Sequence, residues 1–90
     1  MAVEYTLGEL SVLLGGQLRG DSSLIVRGVA VDHRKVSSGE IFCCIRGVKH
    51  DGHNFIDQAL ASNATAILTE IELNISSSIL VADTRAALSA

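Results

Sequence analysis

Apolar and polar positions fall into blocks whose period changes along the chain. Leu7, Leu10, Leu13 and Leu14 recur at the three- and four-residue spacing that places side chains on one face of a helix. Thr6-Leu7-Gly8-Glu9 precedes that face with a hydroxyl and a carboxylate three residues apart, a capping box that starts the helix. Gly15-Gly16 ends it. Gln17 to Arg19 can form a short strand, and Gly20-Asp21-Ser22-Ser23 is a turn. Leu24 to Val31 is apolar on most positions of both faces, with Arg27 the main exception, and predicts a strand. Asp32 to Gly39 is a polar loop. Ile41-Phe42-Cys43-Cys44-Ile45 is apolar without alternation, the pattern of a central strand covered on both faces.

A second loop, Gly47 to Gly52, leads into a predicted helix from His53 to Ser62. Phe55, Ile56, Ala59 and Leu60 share one side of it, and Asn63 is placed to cap it in a left-handed conformation. Ala66 to Thr69 and Ile79 to Val81 predict two more strands, and Asp83 caps a last helix from Thr84. This order predicts an α/β fold: a small mixed sheet of four to five short strands with parallel pairs and flanking helices. Ile41–Ile45 is expected to be its most buried strand. The last helix, about seven residues, is marginal alone, so residues 1–90 read as one domain of something longer.

Composition narrows the function. A net charge of −3 lacks the basic excess of a nucleic-acid footprint, and 3% aromatic residues is too few for a base-stacking platform. No apolar run approaches the roughly 18 residues of a membrane span, and no basic-then-apolar leader opens the chain. Neighbouring Cys43 and Cys44 point to opposite faces of a strand, so they read as two buried reduced thiols suited to a cytoplasmic setting.

Against this acidic background, cations concentrate in two loops. Arg34, Lys35, Arg46 and Lys49 are four of the seven Lys and Arg residues, and His33, His50 and His53 lie in or beside the same loops. If the strands before the loops run parallel, both loops leave the sheet at the edge where open α/β sheets bind ligands. A helix starting at His53 would add free N–H groups suited to a phosphate. The bland alternative is a set of solvated surface charges. His50-Asp51-Gly52-His53 has close spacing for metal ligands, but no cysteine is placed to complete a site; a side chain capping the helix at Gly52-His53-Asn54 explains it better. Gly47 to Gly52 mimics P-loop spacing without the Lys-Ser or Lys-Thr that must follow, so the chain has no recognisable ATP site.

Asp32-His33-Arg34-Lys35-Val36, Ser38-Gly39, Ile41-Phe42-Cys43-Cys44, Gly47 and Asp51-Gly52-His53-Asn54-Phe55-Ile56 follow one another in an order that resembles the N-terminal domain of the Mur ligase family. Ala64-Thr65-Ala66-Ile67-Leu68 and Ala82-Asp83-Thr84-Arg85-Ala86-Ala87-Leu88 extend the likeness over nearly the whole chain. The resemblance implies a three-domain, ATP-dependent amide-bond ligase of peptidoglycan precursor synthesis, whose N-terminal domain holds the UDP part of a UDP-N-acetylmuramoyl-peptide. It implies no cofactor in this chain, with ATP and magnesium held by a central domain in cis. Phe42-Cys43-Cys44 and Asp83-Thr84-Arg85 resemble the branch that adds the third peptide residue more than the branch that adds D-Ala-D-Ala. By the resemblance, Val31 and His33 meet uracil and ribose, and Val48, Lys49 and His50 lie near the ribose and diphosphate. Asp32, Arg34, Arg46 and His53 support them, and no residue is catalytic or binds metal. His33 stands where the family usually has Ser, and Ser38 where Pro is common. A stand-alone nucleotide-sugar or protein-binding module is the reading from another class.

Overall fold

The computed structural model describes residues 4–45 and 51–89, with the side chains of the last two of these left aside. Strand β1 (Tyr5–Thr6) runs into helix α1 (Leu7–Leu14). Strands β2 (Gln17–Arg19), β3 (Ile25–Val26), β4 (Gly28–Ala30) and β5 (Glu40–Cys43) follow. Helix α2 (Ile56–Ala61), strands β6 (Ala66–Thr69) and β7 (Ser78–Leu80), and helix α3 (Thr84–Ser89) complete the order. Five strands form the main sheet in the order β2-β7-β6-β5-β4, and β1 pairs with β3 apart from it. Neighbours from β4 to β7 are parallel, and β2 is antiparallel to β7. The sheet is therefore mixed, as the pattern predicts.

The alternation of a strand splits the core into two layers. Ile41 and Cys43 of β5 join Leu68, Ile79, Leu7 and Ala87 on one face of the sheet. Phe42 and Cys44 join Ile67, Ile56 and Ala59 on the other. Helices α1 and α3 thus cover one face and α2 the other. Phe42, Cys43 and Cys44 have no exposed surface, yet Glu40 at the start of β5 and Ile45 at the end of the expected run are half-buried. The most buried strand is instead β6, between β5 and β7, which is buried at all four positions. Both cysteines are free, and burial pushes each thiol up to about 12.

Several local signals read true. The Thr6 hydroxyl accepts the Glu9 N–H at 3.1 Å and Glu9 accepts the Thr6 N–H at 2.9 Å, closing the capping box. Gly15 caps α1 at φ 67° and Asn63 takes φ 69° after α2. Gly16 is required by close approach, since a Cβ there would meet Ile79 Cγ2 at 2.5 Å.

Three further expectations need correction. The strand predicted from Leu24 to Val31 breaks at Arg27, whose guanidinium pairs with Glu4 in solvent at 2.9 Å. There the chain passes from the small β1–β3 pair to the main sheet. Val29 and Val31 are then 53% and 59% exposed, because β4 is an edge strand. Leu13 is 59% exposed: α1 is only two turns long, and Leu7, Leu10 and Leu14 face the core instead. The helix predicted from His53 opens as a 3₁₀ turn over Gly52–Phe55 and becomes α-helical only at Ile56. Its Phe55, Ile56, Ala59 and Leu60 do form the packed side.

Candidate functional site

Because β4 and β5 are parallel, the segments that follow them leave the sheet at one edge. A pocket of about 510 Å³ opens there, lined by Val31, Asp32, His33, Arg34, Ile45, Gly52 and Phe55. Four of these seven were nominated by sequence. Arg46, Val48, Lys49 and His50 lie outside the described residues.

The first wall is a 3₁₀ turn, His33–Lys35, built by Asp32. Its carboxylate accepts the Arg34 N–H at 2.9 Å and grips the guanidinium at two points, Nε at 3.1 Å and Nη2 at 3.0 Å. These hydrogen bonds from Arg34 hold the Asp32 carboxyl down at about 2. The pairing compensates the charge of Arg34. Arg27 and Arg19 are likewise paired, with Glu4 and Glu72. Of the four cations concentrated along the sequence, Arg34 is thus paired, while Arg46 and Lys49 lie outside the described residues.

The second wall comes from the segment after β5. The Phe55 ring lies under the His33 imidazole, with centroids 3.9 Å apart and planes 6° from parallel. Gly52 donates its N–H to the Ile45 carbonyl at 2.8 Å. A Cβ on Gly52 would come within 2.7 Å of the Ile45 nitrogen and 2.9 Å of Cys44 Cα, so only glycine lets the two strands of backbone meet. The floor is apolar, the rim holds a charged pair, and one face is aromatic. Such a pocket suits a planar, polar-edged group.

His53 does not line the pocket. Its side chain is 6% exposed, with Nδ1 at 2.6 Å from Asp51 Oδ1 and Nε2 accepting the Glu70 N–H at 3.1 Å. The N–H of His53 is also taken, by the Asp51 carboxylate at 3.0 Å. The start of this helical segment is capped by Asp51, one residue ahead of the Gly52-His53-Asn54 segment from which the cap is read in the sequence, and the His53 N–H expected to be free for a phosphate is thereby occupied. Among the described residues no three His, Cys, Asp or Glu side chains gather as metal ligands. No helix among them is long and apolar enough to cross a membrane.

Ile45, Gly52 and Phe55 were not nominated as site residues. Ile45 and Phe55 read as core positions, and Gly52 as a turn. Nothing in the pattern pairs Phe55 with His33, because stacking depends on how two distant segments meet.

The model of the Mur ligase family described as its catalytic domain matches residues 25–89. The chain belongs to the Mur ligase family. The UDP-N-acetylmuramoyl-tripeptide–D-alanyl-D-alanine ligase of Escherichia coli is 36% identical over 86 residues, 94% of this chain and 19% of that protein. A UDP-N-acetylmuramoyl-L-alanyl-D-glutamate–2,6-diaminopimelate ligase of Bacteroides thetaiotaomicron is 44% identical over 54 residues, 60% of this chain and 11% of that one. Among solved Mur ligases, MurF from Acinetobacter baumannii superposes with a TM-score of 0.88 at 26% identity, covering 97% of this chain and 20% of its own. MurF from Thermotoga maritima, solved with ADP, gives 0.67 at 32% identity over 71% of this chain and 15% of its own. The chain thus spans a fifth or less of the length of these Mur ligases.

Proposed function

We propose that this chain holds the UDP part of a UDP-N-acetylmuramoyl-peptide for an ATP-dependent amide-bond ligase of peptidoglycan precursor synthesis. The observation that carries the reading is the pocket at the carboxyl ends of parallel β4 and β5, lined by Val31 to Arg34, in a chain of this family. In this reading Val31 and His33 meet uracil and ribose. Val48, Lys49 and His50 meet the ribose and diphosphate, and Asp32 holds Arg34 at the rim. The ligase is cytoplasmic, and its central domain, supplied in cis, binds ATP and magnesium.

The residues of this chain do not fit ATP and magnesium. Gly52-His53-Asn54 stands where a phosphate loop needs Gly-Lys-Ser or Gly-Lys-Thr, and no carboxylate set is assembled among the described residues. The chain alone therefore has no ligase activity in this proposal. Phosphate release from ATP by the pure chain, with nucleotide substrate present, would contradict it.

Of the two branches, we favour the one that adds the third residue, on Phe42-Cys43-Cys44 and the Asp83-Thr84-Arg85 segment. The D-Ala-D-Ala-adding branch has an observation of its own: the E. coli relative of that branch aligns over 94% of the chain. Calorimetry with the UDP-N-acetylmuramoyl-dipeptide, the tripeptide and UDP alone tests both levels. Binding of UDP with equal or tighter binding of the dipeptide supports the proposal. Tighter binding of the tripeptide selects the second branch, and no UDP binding removes the site.

A further inference from the structure

Behind the pocket, the ends of β5 and β6 and the start of α3 are joined by a continuous set of hydrogen bonds. The fully buried Thr84 donates its hydroxyl to the Cys44 carbonyl at 2.9 Å, one residue before Ile45 of the pocket wall. The Thr84 N–H donates to Glu70 Oε2 at 2.9 Å, and its hydroxyl lies 3.2 Å from the same oxygen. Glu70 follows β6 directly, and its own N–H donates to His53 Nε2 at 3.1 Å. Since Nε2 accepts, the ring proton is on Nδ1 and is given to Asp51, 2.6 Å away. Between Asp51 and His53, Gly52 closes the path by donating to the Ile45 carbonyl. None of His53, Glu70 and Thr84 lines the pocket.

We propose that His53 and Thr84 are positioning residues, which set the Ile45–Gly52–Phe55 wall and tie it to the first residue of α3. Nucleotide affinity then depends on two side chains that never touch the nucleotide. The proposal rests on the reading of the pocket as a UDP site. The physical ground is that a buried polar network holds one geometry only while every member is satisfied. Removing the Thr84 hydroxyl leaves the Cys44 carbonyl without that donor beside Ile45, and the adjoining backbone must shift to recover one.

The test compares Thr84→Val, Thr84→Ser and His53→Gln in the 90-residue chain. Valine keeps the shape of threonine without the hydroxyl, and serine keeps the hydroxyl. Two readouts are taken well below each melting temperature: the amide resonances of Ile45, Gly52 and Phe55 without nucleotide, and the UDP dissociation constant by calorimetry. T84V is expected to move all three resonances and weaken UDP about tenfold, the size of one lost buried hydrogen bond, with T84S within about twofold of wild type. A purely structural role lowers the melting temperature of T84V and leaves both readouts in place; that result overturns the proposal. If T84V does not fold, H53Q decides by the same two readouts. A wild-type chain that fails to bind UDP removes the pocket reading instead, and the wall's dependence on Thr84 is then judged by the resonances alone.

Discussion

His33 and Phe55 lie in different loops yet stack face to face, 3.9 Å between centroids and 6° from parallel. The contact joins the 3₁₀ turn after β4 to the segment after β5 and makes one aromatic side of the pocket. It also gives a physical setting to the departure of His33 from the family's usual serine. The imidazole can donate and accept at its edge while its face stays on Phe55.

Replacing His33 by Ser removes the stack but restores a hydroxyl at that position. UDP binding by H33S is expected to equal or exceed that of wild type. Replacing Phe55 by Ala removes the stack and half-buried apolar surface together. That change is expected to cost about 1–3 kcal/mol of stability and to weaken UDP binding. Paired denaturant titrations and calorimetry check both. Unchanged stability in F55A would show that the stack carries no weight.

The Asp32–Arg34 pair sets a pH dependence. The Asp32 carboxyl titrates at about 2 in the folded chain, below its ordinary 3.8. A carboxylate lowered on folding contributes stability that is complete above its unfolded value and is lost as pH falls through the folded one. The turn at His33–Lys35 is therefore expected to hold at neutral pH and loosen between about 4 and 2. A carboxyl NMR titration should place Asp32 near 2 in wild type and nearer 4 in Arg34→Ala. Equal midpoints in the two proteins would dismiss the pair.

Gly52 and Gly15 make a contrasting pair of substitutions. Gly15→Ala meets nothing within 4 Å and suffers only from its φ of 67°, so about 1 kcal/mol is expected. Gly52→Ala must push a Cβ against the Ile45 nitrogen and Cys44 Cα, both backbone atoms. It is expected to cost more than G15A and to abolish UDP binding, whereas G15A, at the C-cap of α1 and outside the pocket lining, keeps it. Thermal melts and UDP titrations of the two variants decide the ranking.

The core predicts a chemical result as well. Thiols held at about 12 and without exposed surface should resist a thiol reagent near pH 8 until the chain unfolds. Labelling of Cys43 or Cys44 at the native-state plateau, without loss of secondary structure, would contradict the buried strand.

Much of the fold was legible because it is local or periodic. The capping box at Thr6 and Glu9, the stop at Gly15, the unbroken run Ile41–Ile45 and the face Phe55–Leu60 each follow from near neighbours. The break at Arg27 was not legible, since an apolar run does not show where a chain leaves one sheet for another. The same holds for Val31, whose exposure follows from β4 being at the sheet edge. In the site, all four residues from Val31 to Arg34 line the pocket; Val31 and Asp32 were put forward by the resemblance, and His33 and Arg34 by clustering as well. Clustering could not show that Asp32 already holds Arg34, or that His53 is turned inward to Asp51 and Glu70. Those facts depend on side-chain direction, which charge counts do not contain.

The lysine at 49 extends the account to the diphosphate. Lys49→Ala is expected to lose about 0.5–2 kcal/mol of UDP binding, and less at high salt, as ions screen a charge–charge contact. Calorimetry at two ionic strengths reads this; a salt-independent loss would argue against a phosphate contact.

The central claim is that the UDP moiety lies across the ends of β4 and β5. Titrating UDP-N-acetylmuramoyl-dipeptide into isotopically labelled chain, followed by amide NMR, tests it most directly. The account predicts saturable shifts at Val31, His33, Lys49, His50, Gly52 and Phe55. Shifts at Val81 to Leu88 with none at Val31, His33, Lys49 or His50 would contradict it.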